Sequence, residues 1–278
     1  YYLIICSVVN IVLDLLLILV IPLGVLGAAI ATLIAQAVSA VLVTVTLMYR
    51  TEGMKLCLSQ IRMYKRMLQS ILKIGLPAGF EAIMYSISNI IVQVSINNFG
   101  VDTMAAWTAY SKIDFIFWMI NSAFGISVMT FVGQNYGAGK WDRIRRGTKI
   151  CLGMALISAV SVSIILMSAE RFLFGIFVND AGVVEIGIRM MNVIAPAYLL
   201  FAFIEVFSGA LRAQGAVVVS TLITMVGICV LRMIWVTLVA AHGTLEQVII
   251  CYPITWAAGA LAMSIYYIYK QRKIFQTR

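Results

Sequence analysis

The chain has 278 residues, of which 63% are hydrophobic and only 11% charged, and its mean hydropathy is +1.02. This composition excludes a water-soluble domain with a polar surface and indicates a protein that crosses a membrane several times. The formal net charge of +9 does not indicate nucleic-acid binding, because Lys and Arg lie in short clusters between apolar segments, as the positive-inside rule predicts.

Eight apolar runs are each long enough to cross about 30 Å of hydrocarbon as a helix. The first two are joined by Pro22-Leu-Gly24, which is so short that we expect an antiparallel hairpin. The sequence therefore predicts an all-α polytopic membrane protein. The predicted spans are 1–21, 25–48, 70–98, 104–132, 147–168, 186–211, 216–240 and 246–269.

The longest polar connection, 50–69, is predicted to be an amphipathic cytoplasmic linker. It divides the chain into two helices (1–49) and six helices with a tail (70–278), and this imbalance predicts four further helices before Tyr1 in a design of two six-helix lobes. Most basic residues lie in this linker, between Gly133 and Lys149, and in the tail to Arg278, whereas the opposite loops carry mostly acids. We therefore expect a cytoplasmic C-terminus and a first helix that runs outward.

The first helix contains an acid that needs an explanation. Asn10 and Asp14 lie one turn apart and share a helix face with Ser7, inside an otherwise apolar run. A carboxylate in hydrocarbon costs several kcal/mol, so such a group is expected to face a bundle interior or a water-filled cavity and to bind a proton or a cation. A hydrogen bond between helices is the structural alternative.

Nothing in the sequence indicates an enzyme or a bound cofactor. The five cysteines are widely spaced, and His242 is the only histidine, so neither a disulfide framework nor a zinc site is indicated. The motifs H-E-x-x-H and G-x-S-x-G are absent from the sequence. An integral membrane enzyme is therefore the weakest functional hypothesis.

Several motifs, in order along the chain, resemble the multidrug and toxic compound extrusion (MATE) transporters. The resemblance covers the whole chain as the fifth to twelfth helices of a twelve-helix family, which implies that the chain lacks about the first four. The motifs are Asn10-Ile-Val-Leu-Asp14 followed by Gly24-Val-Leu-Gly-Ala-Ala-Ile-Ala-Thr32, then Ile74-Gly-Leu-Pro77, Val132-Gly-Gln-Asn-Tyr-Gly-Ala-Gly139 and Ser208-Gly-Ala-Leu-Arg212.

The resemblance implies two pseudo-symmetric six-helix lobes and a secondary antiporter in the plasma membrane. Small organic cations or drugs would be exported in exchange for H⁺ or Na⁺ by alternating access, without another cofactor, and we expect a monomer. By position, Asn10, Asp14 and Thr32 match the family's cation-coupling site in the first lobe. An Asp that completes this site in the family lies on its first helix, outside the present sequence.

The second lobe departs from the pattern of sodium-coupled relatives. Tyr85 stands where the family has a Glu, and Phe201 where it has an Asp, while Glu81 and Glu205 lie about one turn away. Glu81, Tyr85 and Glu205 are therefore candidate cavity residues. Two interpretations of Glu81 and Glu205 are open: they form a shifted coupling site, or they serve the cavity in another way. For Glu205, a structural ion pair with Arg212 is a third interpretation.

A flippase for lipid-linked precursors, from the same wider superfamily, is the alternative transporter. It would need a cavity lined by basic residues, and only Lys112 and Arg232 are clearly intramembrane cations, so it ranks lower. Superposing Val-Leu-Asp14 on Val-Leu-Arg232 gives the two lobes opposite charges at equivalent positions. Asp114 is expected near the outer interface, neutralised by its neighbours or in contact with substrate.

Overall fold

The computed structural model describes residues 2–49, 55–239 and 243–276, and within these ranges it is helical, with no strand. Eight helices are long and apolar enough to cross a membrane, which confirms the predicted all-α polytopic fold. They are α1 (Tyr2–Val20), α2 (Gly24–Tyr49), α3 (Lys65–Asn97), α4 (Val101–Gly137), α5 (Trp141–Ser168), α6 (Ala181–Ala213), α7 (Val217–Val239) and α8 (Leu245–Ile274).

The first compact unit, Tyr1–Leu68, contains the hairpin of α1 and α2. The Tyr2 hydroxyl, at the start of α1, lies 2.6 Å from the Thr46 hydroxyl near the end of α2, so the helices are antiparallel. At the closed end, a Cβ on Gly27 would lie 2.9 Å from the Leu17 carbonyl oxygen. A glycine is needed there because the two backbones approach so closely.

The second compact unit, Gln69–Arg278, is built around α6. This helix packs against α4, α5 and α8, while α4 packs on α5 and α7 packs on α8. In the most apolar stretch of α6, 67% of the residues are buried inside the protein, compared with 28% in the corresponding stretches of α4 and α5. The apolar residues of α6 therefore form the centre of this unit, and the outer faces of its neighbours are left for lipid.

Two of the spans are interrupted by π-helical turns close to their charged residues. In α1, the π-helical segment Leu16–Val20 begins two residues after Asp14. In α7, the π-helical segments Met225–Val230 and Trp235–Val239 lie on either side of Arg232. Such turns widen the helix locally and are frequent at functional sites.

Polar side chains cap the starts of α6 and α8. Asp180 accepts hydrogen bonds from the backbone N–H groups of Gly182 and Val183, at 2.7 and 3.1 Å, and so caps α6. Thr244 and Gln247 form a capping box at the start of α8. The side chains thus satisfy some of the N–H groups that a helix start leaves free.

Tyr1, His242, Arg278 and the first residues of the predicted linker, 50–54, lie outside the described ranges. The predicted division of the chain at 50–69 and the cytoplasmic C-terminus stay predictions.

Candidate functional site

A cavity of about 450 Å³ lies among α3, α4, α6 and α8 in the second unit. Its volume falls within the range typical of sites for small molecules. The lining is mainly aromatic and includes one acid. It comprises Tyr85, Asn89, Gln93, Trp107, Tyr110, Ser111, Asp114, Phe115, Trp118, Ile194, Tyr252 and Trp256.

Asp114 is the acid in this cavity, and its side chain is held in place by three neighbours. It is only 8% exposed. Trp118, one turn further along α4, donates its Nε1–H to Asp114 Oδ2 at 2.5 Å, and the Tyr198 hydroxyl on α6 donates to Asp114 Oδ1. The Tyr110 hydroxyl in turn lies 3.1 Å from that of Tyr198. The carboxylate is therefore oriented by neutral donors, and no ion pair of the described residues includes it.

Aromatic contacts fix the rings around Asp114. Phe117 stacks on Tyr198 with ring centroids 3.9 Å apart. Phe201 and Trp118 form an edge-to-face pair with ring centroids 4.7 Å apart, and Trp256 and Trp118 form another at 6.0 Å. Since each ring is held by another, the cavity wall has little freedom to collapse.

A buried cation, Arg232, lies behind the wall of the cavity. Its side chain has no exposed surface, and its Nη1 donates to Asn89 Oδ1 at 3.0 Å. The guanidinium carbon lies 4.3 Å from the centroid of the Tyr252 ring and 5.7 Å from that of Tyr85. All three partners line the cavity, so they separate the permanent charge of Arg232 from its interior.

Glu81 is engaged in an ion pair and is not among the residues that line this cavity. Arg212 Nη2 donates to both carboxylate oxygens of Glu81, at 2.7 and 2.9 Å, and the Thr221 hydroxyl donates to Oε2 at 2.8 Å. The partner of Arg212 is thus Glu81 on α3, whereas the sequence had suggested Glu205. These contacts connect α3 to both α6 and α7.

The other two candidate cavity residues differ in position. Tyr85 lines the cavity, one turn beyond Glu81. Glu205 is half-buried against Gly125 of α4, where any added Cβ would overlap its carboxylate, and it is not part of the cavity lining. The transport roles of Glu81 and Glu205 therefore stay predictions.

In the first unit, the proposed coupling residues are only partly brought together. Asn10 and Asp14 are half-buried, and within the described chain Asn10 Nδ2 and Asp14 Oδ1 are enclosed without a hydrogen-bond partner. Thr32 is exposed, and its hydroxyl donates to the Ala28 carbonyl of its own helix at 2.9 Å. The Asp14 oxygen is free to accept a proton or a cation, whereas Asn10 Nδ2 is a hydrogen-bond donor, and Thr32 does not complete a cation site here.

The sequence offers contact with substrate only as one of two interpretations of Asp114, which is not among the candidate site residues predicted from it. The spacing of Tyr110, Asp114 and Trp118 at intervals of four was the available signal, since it puts two donors on the helix face of the acid. Tyr198, from α6, could not be assigned without the fold. The neighbouring Lys112 is exposed.

Comparisons with known proteins identify a family and several relatives. The family model described as MatE matches residues 77–238, more than half of the chain. The probable multidrug resistance protein YoeA of Bacillus subtilis is 27% identical over 286 residues, covering 99% of this chain and 62% of the relative. The multidrug export protein MepA of Staphylococcus saprophyticus is 25% identical, covering 84% of this chain and 54% of the relative.

A solved structure described as the outward-facing conformation of a multidrug resistance MATE family transporter has the same fold. Its TM-score is 0.89 at 19% identity, over 99% of this chain and 62% of the solved chain. The present chain thus spans a little over half to about three fifths of the length of these proteins. On the match to the family model, the chain belongs to the MatE family, whose members are membrane transporters and not enzymes.

Proposed function

We propose that the chain acts, as part of a plasma-membrane antiporter, in the export of organic cations or drugs in exchange for H⁺ or Na⁺. Family membership and the multidrug-related names of its relatives support export. The observation that carries the substrate class is the Asp114 carboxylate in a cavity walled by aromatic rings.

The chemistry of the cavity favours a flat or bulky lipophilic cation. Indole and phenol rings attract a cation over their faces, and this attraction increases when water is excluded. Asp114 supplies the counter-charge and is already oriented by Trp118 and Tyr198. The lining contains no Lys or Arg, which weighs against the flippase alternative with its requirement for a basic cavity.

Ion coupling is proposed at Asn10 and Asp14, with Thr32 in a supporting role. A proton or Na⁺ at Asp14 would satisfy an enclosed oxygen that has no hydrogen-bond donor among the described residues. If the ion stabilises one arrangement of the transporter and the drug another, their competition produces exchange by alternating access. The predicted monomer and the predicted orientation belong to the same proposal.

The substrate proposal is tested by measuring how a lipophilic cation binds to the purified chain in detergent. The fluorescence of the cavity tryptophans reports the binding. Tetraphenylphosphonium should quench this fluorescence with saturation, while tetraphenylborate, an anion of the same shape, should not. Replacing Asp114 by Asn should weaken tetraphenylphosphonium binding on the order of tenfold, because one ionic contact is lost.

Asp102→Asn is the matched control, since Asp102 lies exposed at the start of the same helix. It should leave the affinity unchanged, and circular dichroism should show the same helix content in both variants. Equal binding of the cation and the anion, or an equal loss in both variants, would contradict a cation site at Asp114.

A further inference from the structure

A second cavity of about 350 Å³ lies between α4 and α5, away from the proposed substrate site. One face of each helix lines this groove, at intervals of three and four residues, and the lining is almost entirely apolar. Met154 is 55% exposed and Ile150 56%, so the groove is open on its α5 side. The lining residues are Phe124, Ser127, Val128, Phe131, Gly147, Ile150, Cys151 and Met154.

The shape of the groove is set by two close contacts. A Cβ on Gly147 would overlap the ring of Phe131, so the glycine lets this ring lie against α5. The Cys151 thiol donates to the Phe124 carbonyl oxygen at 3.7 Å, which satisfies one of the few polar groups of the groove internally. What is left for a ligand is an apolar channel between two helices.

One end of this channel is basic. Arg143 lies one helical turn before Gly147 on the same face of α5, and its guanidinium carbon is 6.0 Å from the centroid of the Phe131 ring. Arg146 and Lys149 are exposed on the same first turns of α5. The groove therefore combines an apolar channel with positive charge at the end near the α4–α5 turn.

We propose that this groove binds an anionic phospholipid, with one acyl chain along the channel and the phosphate at Arg143 and Arg146. A lipid of this kind satisfies both halves of the site, because basic pockets between membrane helices recognise anionic headgroups and the apolar channel accepts the chain. A zwitterionic lipid has no net charge to complement the basic end, and a detergent or free fatty acid lacks the phosphate. The site is independent of the proposed transport function.

The proposal is tested by native mass spectrometry of the purified chain with phosphatidylglycerol and phosphatidylcholine of identical acyl chains. Phosphatidylglycerol should bind preferentially, and Arg143→Gln/Arg146→Gln should reduce its apparent affinity on the order of tenfold. The matched control, Arg62→Gln/Arg272→Gln, removes the same charge at two exposed positions elsewhere and should have little effect.

The proposed position of the acyl chain is tested by substitutions that fill the channel. Ser127→Trp introduces an indole into the groove from an exposed position and should displace both lipids, whereas Ile126→Trp, also exposed on α4 but outside the groove, should not. Ile150→Trp from α5 replaces Ser127→Trp if that variant does not fold. Equal binding of the two lipids, equal loss in both charge variants, or unchanged binding after the channel is filled would each overturn the proposal.

Discussion

The ion pair between Glu81 and Arg212 makes a specific contribution to stability that can be measured. Glu81→Gln keeps the shape of the side chain and removes its charge. The three hydrogen bonds to the carboxylate, at 2.7, 2.9 and 2.8 Å, would then be weakened or lost, and the Arg212 guanidinium would lose its counter-charge.

The expected loss lies between the values for buried and exposed pairs. The Glu81 side chain is 13% exposed and that of Arg212 30%, so water partly solvates the arginine after the change. Breaking a fully buried pair costs about 3–5 kcal/mol, and breaking a surface pair about 0–1. We therefore expect about 2 kcal/mol for Glu81→Gln, which corresponds to a decrease in Tm of about 4–8 °C.

A double-mutant cycle in detergent separates this pair from general effects. Because both partners are then absent, Glu81→Gln/Arg212→Gln should be little worse than either single variant, and the coupling energy should be about 2 kcal/mol. The control pair is Arg171–Glu185, at 3.3 Å with side chains 80% and 55% exposed, where Glu185→Gln should cost less than about 1 kcal/mol. Additive losses at Glu81 and Arg212 would refute a direct energetic link between α3 and α6.

Two further changes test the first unit and the packing of α4. Asp14→Asn in the intact transporter should abolish ion-driven uptake of a fluorescent cation by proteoliposomes at unchanged membrane insertion; retained uptake would contradict the coupling role. Gly125→Ala should lower the free energy of unfolding by about 1–3 kcal/mol, because its methyl group overlaps the Glu205 carboxylate. The additional change Glu205→Ala should recover most of this loss, and a loss that persists would show that other neighbours of Gly125 cause it.

The helices could be predicted from the sequence because hydropathy over some twenty residues reflects the cost of burying polar groups in hydrocarbon. Their ends were less predictable. The structure begins α5 at Trp141 rather than 147, because its charged first turns still form helix outside the apolar segment, and it begins α6 at Ala181 rather than 186, directly after the Asp180 cap. The π-helical turns in α1 and α7 have no such signature in the sequence.

The candidate site was harder to predict because its groups come from several helices. Periodicity puts Asn10 and Asp14 on one face, and the structure shows both with unpartnered atoms. Periodicity does not reveal which helix faces which. The pairing of Arg212 with Glu81 instead of Glu205 could therefore be recognised only from the fold. The same limit applies to Asp114, whose donors come from α4 and α6.

Asp14 and Arg232, the two positions that the sequence relates, carry charges of opposite sign and differ in the groups that surround them. Arg232 is a permanent cation that donates one hydrogen bond to Asn89 Oδ1 and contacts the rings of Tyr85 and Tyr252, while its Nε and Nη2 are enclosed without a hydrogen-bond partner among the described residues. Asp14 has an enclosed oxygen with no donor among the residues described, and a proton or Na⁺ is the simplest group that supplies the missing charge. Each charge lies beside a π-helical turn, a feature that is frequent at functional sites. We therefore propose that the coupling ion acts on α1, while Arg232 on α7 carries a fixed charge behind the wall of the proposed substrate cavity.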